Sequence, residues 1–186
     1  MLWLTVIEWL GRLVLMILIG LSFWSISIII ERRRYFKNIP THANDLKKSI
    51  REKNFSFSGY YAEFLKELQS LKSSEKVDQA FEAIISDKKK ELEKGLPVLG
   101  TLGSTTPFIG LLGTILGIIV SFGELSRGAG STNTVMFSLA EALILTAVGL
   151  VVAIPAVVAF NFYNRKVRLI LAEARTLKDL FLAYRD

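Results

Sequence analysis

The chain reads as an all-α membrane protein: three transmembrane helices with helical extensions on the cytosolic side. Three observations predict this. The 186 residues are 51% hydrophobic with a mean hydropathy of +0.41, too apolar for a soluble domain of this size. The apolar residues are gathered into three blocks, and basic residues are concentrated between and after those blocks. Cysteine is absent and the one histidine, His42, has no neighbour at ligand spacing, so disulfide, thiolate-metal and cysteine-nucleophile chemistry are excluded. The net charge of +6 follows a membrane topology rather than a nucleic-acid surface.

The first transmembrane helix is assigned to residues 1–30. Residues 13–30 carry no charge, Leu2, Trp3, Leu4, Val6, Ile7, Trp9 and Leu10 lengthen the run, and Glu31-Arg32-Arg33-Arg34 closes it. A cleaved leader needs a basic start, a shorter apolar core and a small-residue cleavage site; here Glu8 and Arg12 precede a long run that ends in charges, so a retained anchor is expected. Residues 31–95 form a cytosolic helical loop. Tyr61, Phe64, Leu65, Leu68 and Leu71 recur at helical spacing, and Val77, Phe81, Ile84, Ile85, Lys88 and Leu92 mark a second amphipathic face, expected to run unbroken into the next membrane helix. The mixed signs of Asp87-Lys88-Lys89-Lys90-Glu91 read as a solvated helix face.

Residues 96–122 are uncharged and form the second transmembrane helix, residues 123–134 a short loop and residues 135–162 the third transmembrane helix. Arg165, Lys166 and Arg168 stop it, and Leu169, Ile170, Leu177, Leu180 and Phe181 give residues 163–186 the character of an amphipathic cytosolic helix. Placing the polar loop and the tail on one side puts 21 of the 23 Lys and Arg residues in the cytoplasm. The positive-inside rule then sets the N-terminus outside and the C-terminus inside.

Glu141 stands in the third apolar block. An acid well inside a bilayer costs at least a few kcal/mol and normally faces a protein interior or a water-filled path. The same residue within a turn of the surface would simply reach headgroups or water; position alone leaves both readings open. Along the second helix Gly103, Pro107, Gly110, Thr114, Gly117 and Ser121 recur at spacings of three and four, and Gly113 and Gly117 form a GxxxG. Such a small-residue stripe lets helix backbones approach closely in lipid. Packing alone accounts for the glycines, whereas the hydroxyls of Thr105, Thr106 and Thr114 are a local concentration of polarity. On the third helix Ser138, Glu141, Ala142, Thr146, Gly149, Ala153 and Ala156 share an arc of about 140°, opposite Leu139, Leu143, Leu150, Ile154 and Val157. Two such faces, packed together, line a narrow polar path or a socket for another helix. Pro107 and Pro155 each free a carbonyl near it.

The strings TPFIGLLGTILGIIVSF (residues 106–122) and LAEALILTAVGLVVAIPAVVAFN (residues 139–161) resemble the MotA/TolQ/ExbB family of proton-channel proteins, and among them the ExbB and TolQ branch. The three spans, the large loop after the first and the basic tail extend the likeness along most of the chain. The resemblance implies a multi-pass subunit of a bacterial inner-membrane motor with its N-terminus periplasmic and C-terminus cytoplasmic. It further implies a homopentamer in membrane lipid around a dimer of a single-span ExbD/TolR-like protein whose aspartate titrates. Carried over by position, Thr114 and Thr146 match pore-facing threonines, Pro107 the proline of the second helix and Glu141 the acid of the third. Thr106 departs from the small residue common at that place, and the cytosolic loop is short. The added hydroxyl bears on the choice of ion, with protons placed ahead of sodium; no cofactor and no nucleic acid is expected. The competing reading is a structural helix-bundle scaffold whose glycines serve packing alone. A membrane enzyme has no Ser-His, paired-acid or metal constellation to support it.

Overall fold

The computed structural model describes residues 2–40, 42–53, 58–66, 68, 74–126, 128 and 132–185. Its elements are helices: α1 (Leu2–Lys37), α2 (Asn44–Arg51), α3 (Ala62–Lys66), α4 (Ser74–Glu93), α5 (Leu96–Ser126) and α6 (Thr132–Arg185). The first, fifth and sixth each contain a window long and apolar enough to cross a bilayer, with mean hydropathies of 2.6, 2.0 and 2.7. The chain divides into two compact units, one of residues 1–31 with 95–161 and one of residues 32–94 with 162–186.

The first unit is a bundle of α1, α5 and the front of α6. Val14 and Leu18 of α1 meet Leu145 of α6, with Leu15, Ile109, Leu116 and Val148 packed around them. Met16, Phe23, Trp24, Phe108, Phe122, Phe137 and Val151 point outward. In lipid such side chains lose nothing by facing out, so the helices are held together by close fit among small residues instead.

The helices outrun the apolar blocks. α1 continues through Arg32, Arg33 and Arg34 to Lys37, α5 continues to Ser126, and α6 passes Arg165, Lys166 and Arg168 without a break to Arg185. Charges end a membrane span because hydrocarbon rejects them, but Lys and Arg are good helix formers and leave the backbone ladder intact. Between α4 and α5 the structure departs from the expected unbroken helix. Lys94 donates to the Glu91 carbonyl at 3.4 Å, tightening the last turn, and Gly95 takes φ +77°, a left-handed conformation that a glycine adopts without steric penalty. Pro97 then falls in the first turn of α5, where a missing N–H costs nothing.

The second unit buries the amphipathic faces. Tyr61, Phe64, Leu65 and Leu68 are inside, as are Val77, Phe81, Ile85 and Leu92 and, from the tail, Ile170, Leu177 and Phe181. Leu169 is exposed instead, and Leu71 lies outside the described residues. Arg32, which the sequence presents as part of a basic stop, is only 3% exposed. Its Nη1 donates to the Glu91 carbonyl at 3.3 Å, at the end of α4 where the last carbonyls lack helical partners, and its guanidinium lies 4.9 Å from the Tyr35 ring centre. Lys166 donates to the Phe36 carbonyl, and the Phe36 and Tyr163 rings stack at 5.3 Å. Lys178 pairs with Asp78 at 2.7 Å, tying the tail to α4. Glu173, also buried, accepts from the Ala43 N–H at 2.7 Å and from Lys47 at 2.8 Å. Burial works against its ionisation, but these two donors hold its carboxyl below the usual glutamate range.

Candidate functional site

In the first unit, α5 and α6 approach through residues that leave no room for side chains. A Cβ on Gly103 would lie 2.3 Å from Val157 Cγ2, one on Gly110 2.8 Å from the Leu145 carbonyl oxygen, and one on Gly149 2.7 Å from the Thr106 carbonyl oxygen. At Gly117 it would meet the Ala142 Cβ at 2.6 Å, and at Gly113 it would press on Leu145 and on Val14 of α1. Thr106, Gly110, Thr146 and Gly149 therefore meet at one crossing. Pro107 is half-buried beside it, and because it has no N–H it leaves the Gly103 carbonyl without its helical donor.

The hydroxyls of this region differ in how they are used. Thr106 is fully buried and donates to the Leu102 carbonyl at 2.7 Å. Thr114, also buried, donates to the Leu111 carbonyl at 2.7 Å, and Ser121 to the Gly117 carbonyl at 2.9 Å. Thr105, on the exposed side, donates to the Thr101 carbonyl. Each is satisfied within its own helix, the common arrangement for a hydroxyl in an apolar helix. Thr146 differs: its Oγ1 is buried and has no hydrogen-bond partner among the described residues. A buried polar atom left so costs about 1–3 kcal/mol, and in a native protein it calls for an explanation.

Glu141 lies elsewhere. It is exposed and lines a cavity of about 210 Å³ together with Glu8 and Arg12 of α1, Glu124 of α5 and Ser138 of α6. Arg12 is paired within its own helix, Nη2 to Glu8 Oε1 at 2.8 Å, with the guanidinium 5.6 Å from the Trp9 ring centre. The structure thus gathers Thr106 and Thr146 at the helix crossing and sets Glu141 apart from them, in a second polar group whose other charged members, Glu8, Arg12 and Glu124, the apolar patterning passes over as mere flanks. The available signal was the Glu8/Arg12 spacing of four, which places both on one face of α1.

An all-helical fold with three apolar spans and tight glycine crossings defines a multi-span membrane protein. A model of the MotA/TolQ/ExbB proton channel family matches residues 50–176, more than half of the chain, and the chain belongs to that family. It is similar to the biopolymer transport protein ExbB of Xanthomonas campestris pv. campestris, 41% identical over 120 residues that make up 61% of this chain and 47% of the relative. The Tol-Pal system protein TolQ of Pseudomonas aeruginosa is 43% identical over 110 residues, 59% of this chain and 48% of the relative. TolQ of Haemophilus influenzae is 34% identical over 187 residues, 86% of this chain and 81% of the relative. Against the first two the chain matches about half of the relative's length.

Proposed function

We propose that this chain is the multi-helix subunit of an ion-driven motor in a bacterial inner membrane. In this reading the N-terminus is periplasmic and the C-terminus cytoplasmic. Several copies, five in the arrangement implied by the family, surround a dimer of a single-span ExbD/TolR-like protein. Protons pass through the assembly by way of the partner's acid, and the movement does mechanical work on envelope components; the similarity to a biopolymer transport protein ExbB and a Tol-Pal system protein TolQ supports this reading. Thr146, Thr114, Thr106, Pro107 and Glu141 belong to the ion pathway, and no enzymatic step is involved.

The observation that carries this reading is the unpartnered hydroxyl of Thr146. A scaffold gains nothing from a buried hydroxyl that bonds to nothing; valine would fill the same volume without the desolvation cost. A path that handles protons or hydrated ions needs an uncommitted donor and acceptor, and the hydroxyl supplies both.

The test is to purify the chain with its single-span partner, determine the stoichiometry, and measure ion flux in proteoliposomes. Several copies around a single-span dimer, with gradient-driven flux lost in Thr146→Ala, is the expected result. A monomer without a partner, or full flux in both Thr146→Ala and Glu141→Ala, overturns the assignment.

A further inference from the structure

The cavity lined by Glu141 is also lined by a cationic side chain, Arg12, which pairs with Glu8, a carboxylate of its own helix. Among the described residues the charged groups lining it are Glu8 and Arg12 of α1, Glu124 of α5 and Glu141 of α6. Arg12 is paired with Glu8, whereas neither Glu124 nor Glu141 has an ion-pair partner among the described residues. The Arg12–Glu8 pair is 62% and 52% exposed at its two side chains. An exposed pair at a spacing of four is a weak restraint, so Glu8 holds the guanidinium for part of the time and releases it for the rest. A guanidinium on a long flexible stem, released beside two unpaired carboxylates across one small cavity, turns to them.

We infer that Arg12 is a positioning residue for the ion pathway: Glu8 restrains its guanidinium, and that restraint keeps Glu141 open to the arriving cation. The inference rests on the ion-pathway reading above and adds a residue pair from α1, an element that reading leaves as an anchor. When Glu8 holds Arg12, Glu141 presents a free carboxylate to the cavity. When Glu8 lets go, the guanidinium covers Glu141 and the site repels cations. Glu8, though an acid, thus acts through Arg12 and not by holding the ion itself.

The signs separate this from a structural role. Using the assembled complex in proteoliposomes, Glu8→Gln is expected to lower gradient-driven flux by roughly a factor of two, the most that losing an exposed pair at a spacing of four can shift the guanidinium. The double variant Glu8→Gln/Arg12→Gln is expected to regain most of that loss, because the released cation is gone. A pair that merely stabilised α1 would give a double variant no better than Glu8→Gln, and that result overturns the proposal, as does unaltered flux in Glu8→Gln. A second readout does not depend on flux. Solid-state NMR dipolar contacts between labelled Arg12 guanidinium nitrogen and the Glu141 carboxylate carbon should be weak in wild type and strengthen in Glu8→Gln. Equal contacts in both defeat the proposal even if flux changes, while a strengthened contact in a complex that carries no ions upholds the restraint and defeats the motor reading instead.

Discussion

Gly149 of α6 lies against the backbone of Thr106 in α5, so closely that a methyl group on it would come 2.7 Å from the Thr106 carbonyl oxygen. The neighbouring Gly110 faces the Leu145 carbonyl oxygen and the Thr146 Cα in the same way. In both cases the obstacle is backbone, which cannot turn aside as a side chain does. Gly149→Ala and Gly110→Ala are therefore each expected to destabilise the bundle by about 1–3 kcal/mol, the usual cost of overpacking. A Cβ on Gly20 of α1 would meet no described atom within 4 Å beyond its own stretch of helix, so Gly20→Ala should leave stability unchanged or raise it by up to about 1 kcal/mol through helix propensity. Unfolding of the isolated chain in mixed detergent micelles measures all three.

The unpartnered Thr146 hydroxyl predicts a separation of stability from function. Thr146→Val keeps the shape and removes the buried polar atom, so the isolated chain should be as stable as wild type or more stable by about 1 kcal/mol. Flux through the assembled complex should nonetheless fall. Thr106→Val and Thr114→Val each lose a hydroxyl already bonded to its own helix and should destabilise slightly, by less than about 1 kcal/mol. A Thr146→Val chain that is less stable than Thr114→Val contradicts the unpartnered state.

Glu141 lies apart from the threonine crossing and faces a shared cavity, which predicts a graded effect. Glu141→Gln should reduce flux without abolishing it, since the central acid is supplied by the partner in the proposed assembly. Complete loss in Glu141→Gln, measured in proteoliposomes containing both proteins, would make Glu141 itself the carrier.

In the second unit Glu173 binds its proton less readily folded than unfolded, because Lys47 and the Ala43 N–H favour the carboxylate. The sign follows from proton linkage: with the folded pKa depressed, the stabilisation is complete above the unfolded glutamate value near 4.3 and is lost as pH falls through the lower folded value. Glu173→Gln should cost about 1–3 kcal/mol at neutral pH and flatten the acid dependence. Amide exchange in α2 and in α6 beyond residue 162 reports it, and equal acid sensitivity in the variant would count against this account.

The turn before α5 gives a local prediction. Gly95→Ala must place a side chain at φ +77°, and its Cβ 3.1 Å from Ile28 Cγ2. A cost of about 1–2 kcal/mol is expected from the backbone conformation alone, read by thermal unfolding of the detergent-solubilised chain; a Gly95→Ala chain as stable as wild type contradicts the left-handed turn.

Much of this was legible beforehand for a physical reason. A bilayer demands long uncharged runs and internally satisfied backbones, so residues 13–30, 96–122 and 135–162 show three helices by composition alone, and glycines at spacings of three and four show which face packs. Amphipathic spacing likewise picks out Val77, Phe81 and Ile85 as interior. Hydropathy is a property of solvent preference, however, and says little about where a backbone ladder stops. That α1 and α6 continue through their basic residues, while a single glycine interrupts α4 before α5, is set by φ/ψ and by turn hydrogen bonds. What only the tertiary structure decided is which polar atoms find partners. Thr106, Thr114 and Thr146 are alike as letters, yet the first two bond their own helices and the third bonds none of the described residues. Arg32 and Arg12 are alike as flanking cations, yet one is buried against a helix end and the other lines a cavity with Glu141. A hydrogen bond depends on distances of a few tenths of an ångström between elements far apart in the chain, and residue spacing within one helix carries no such information.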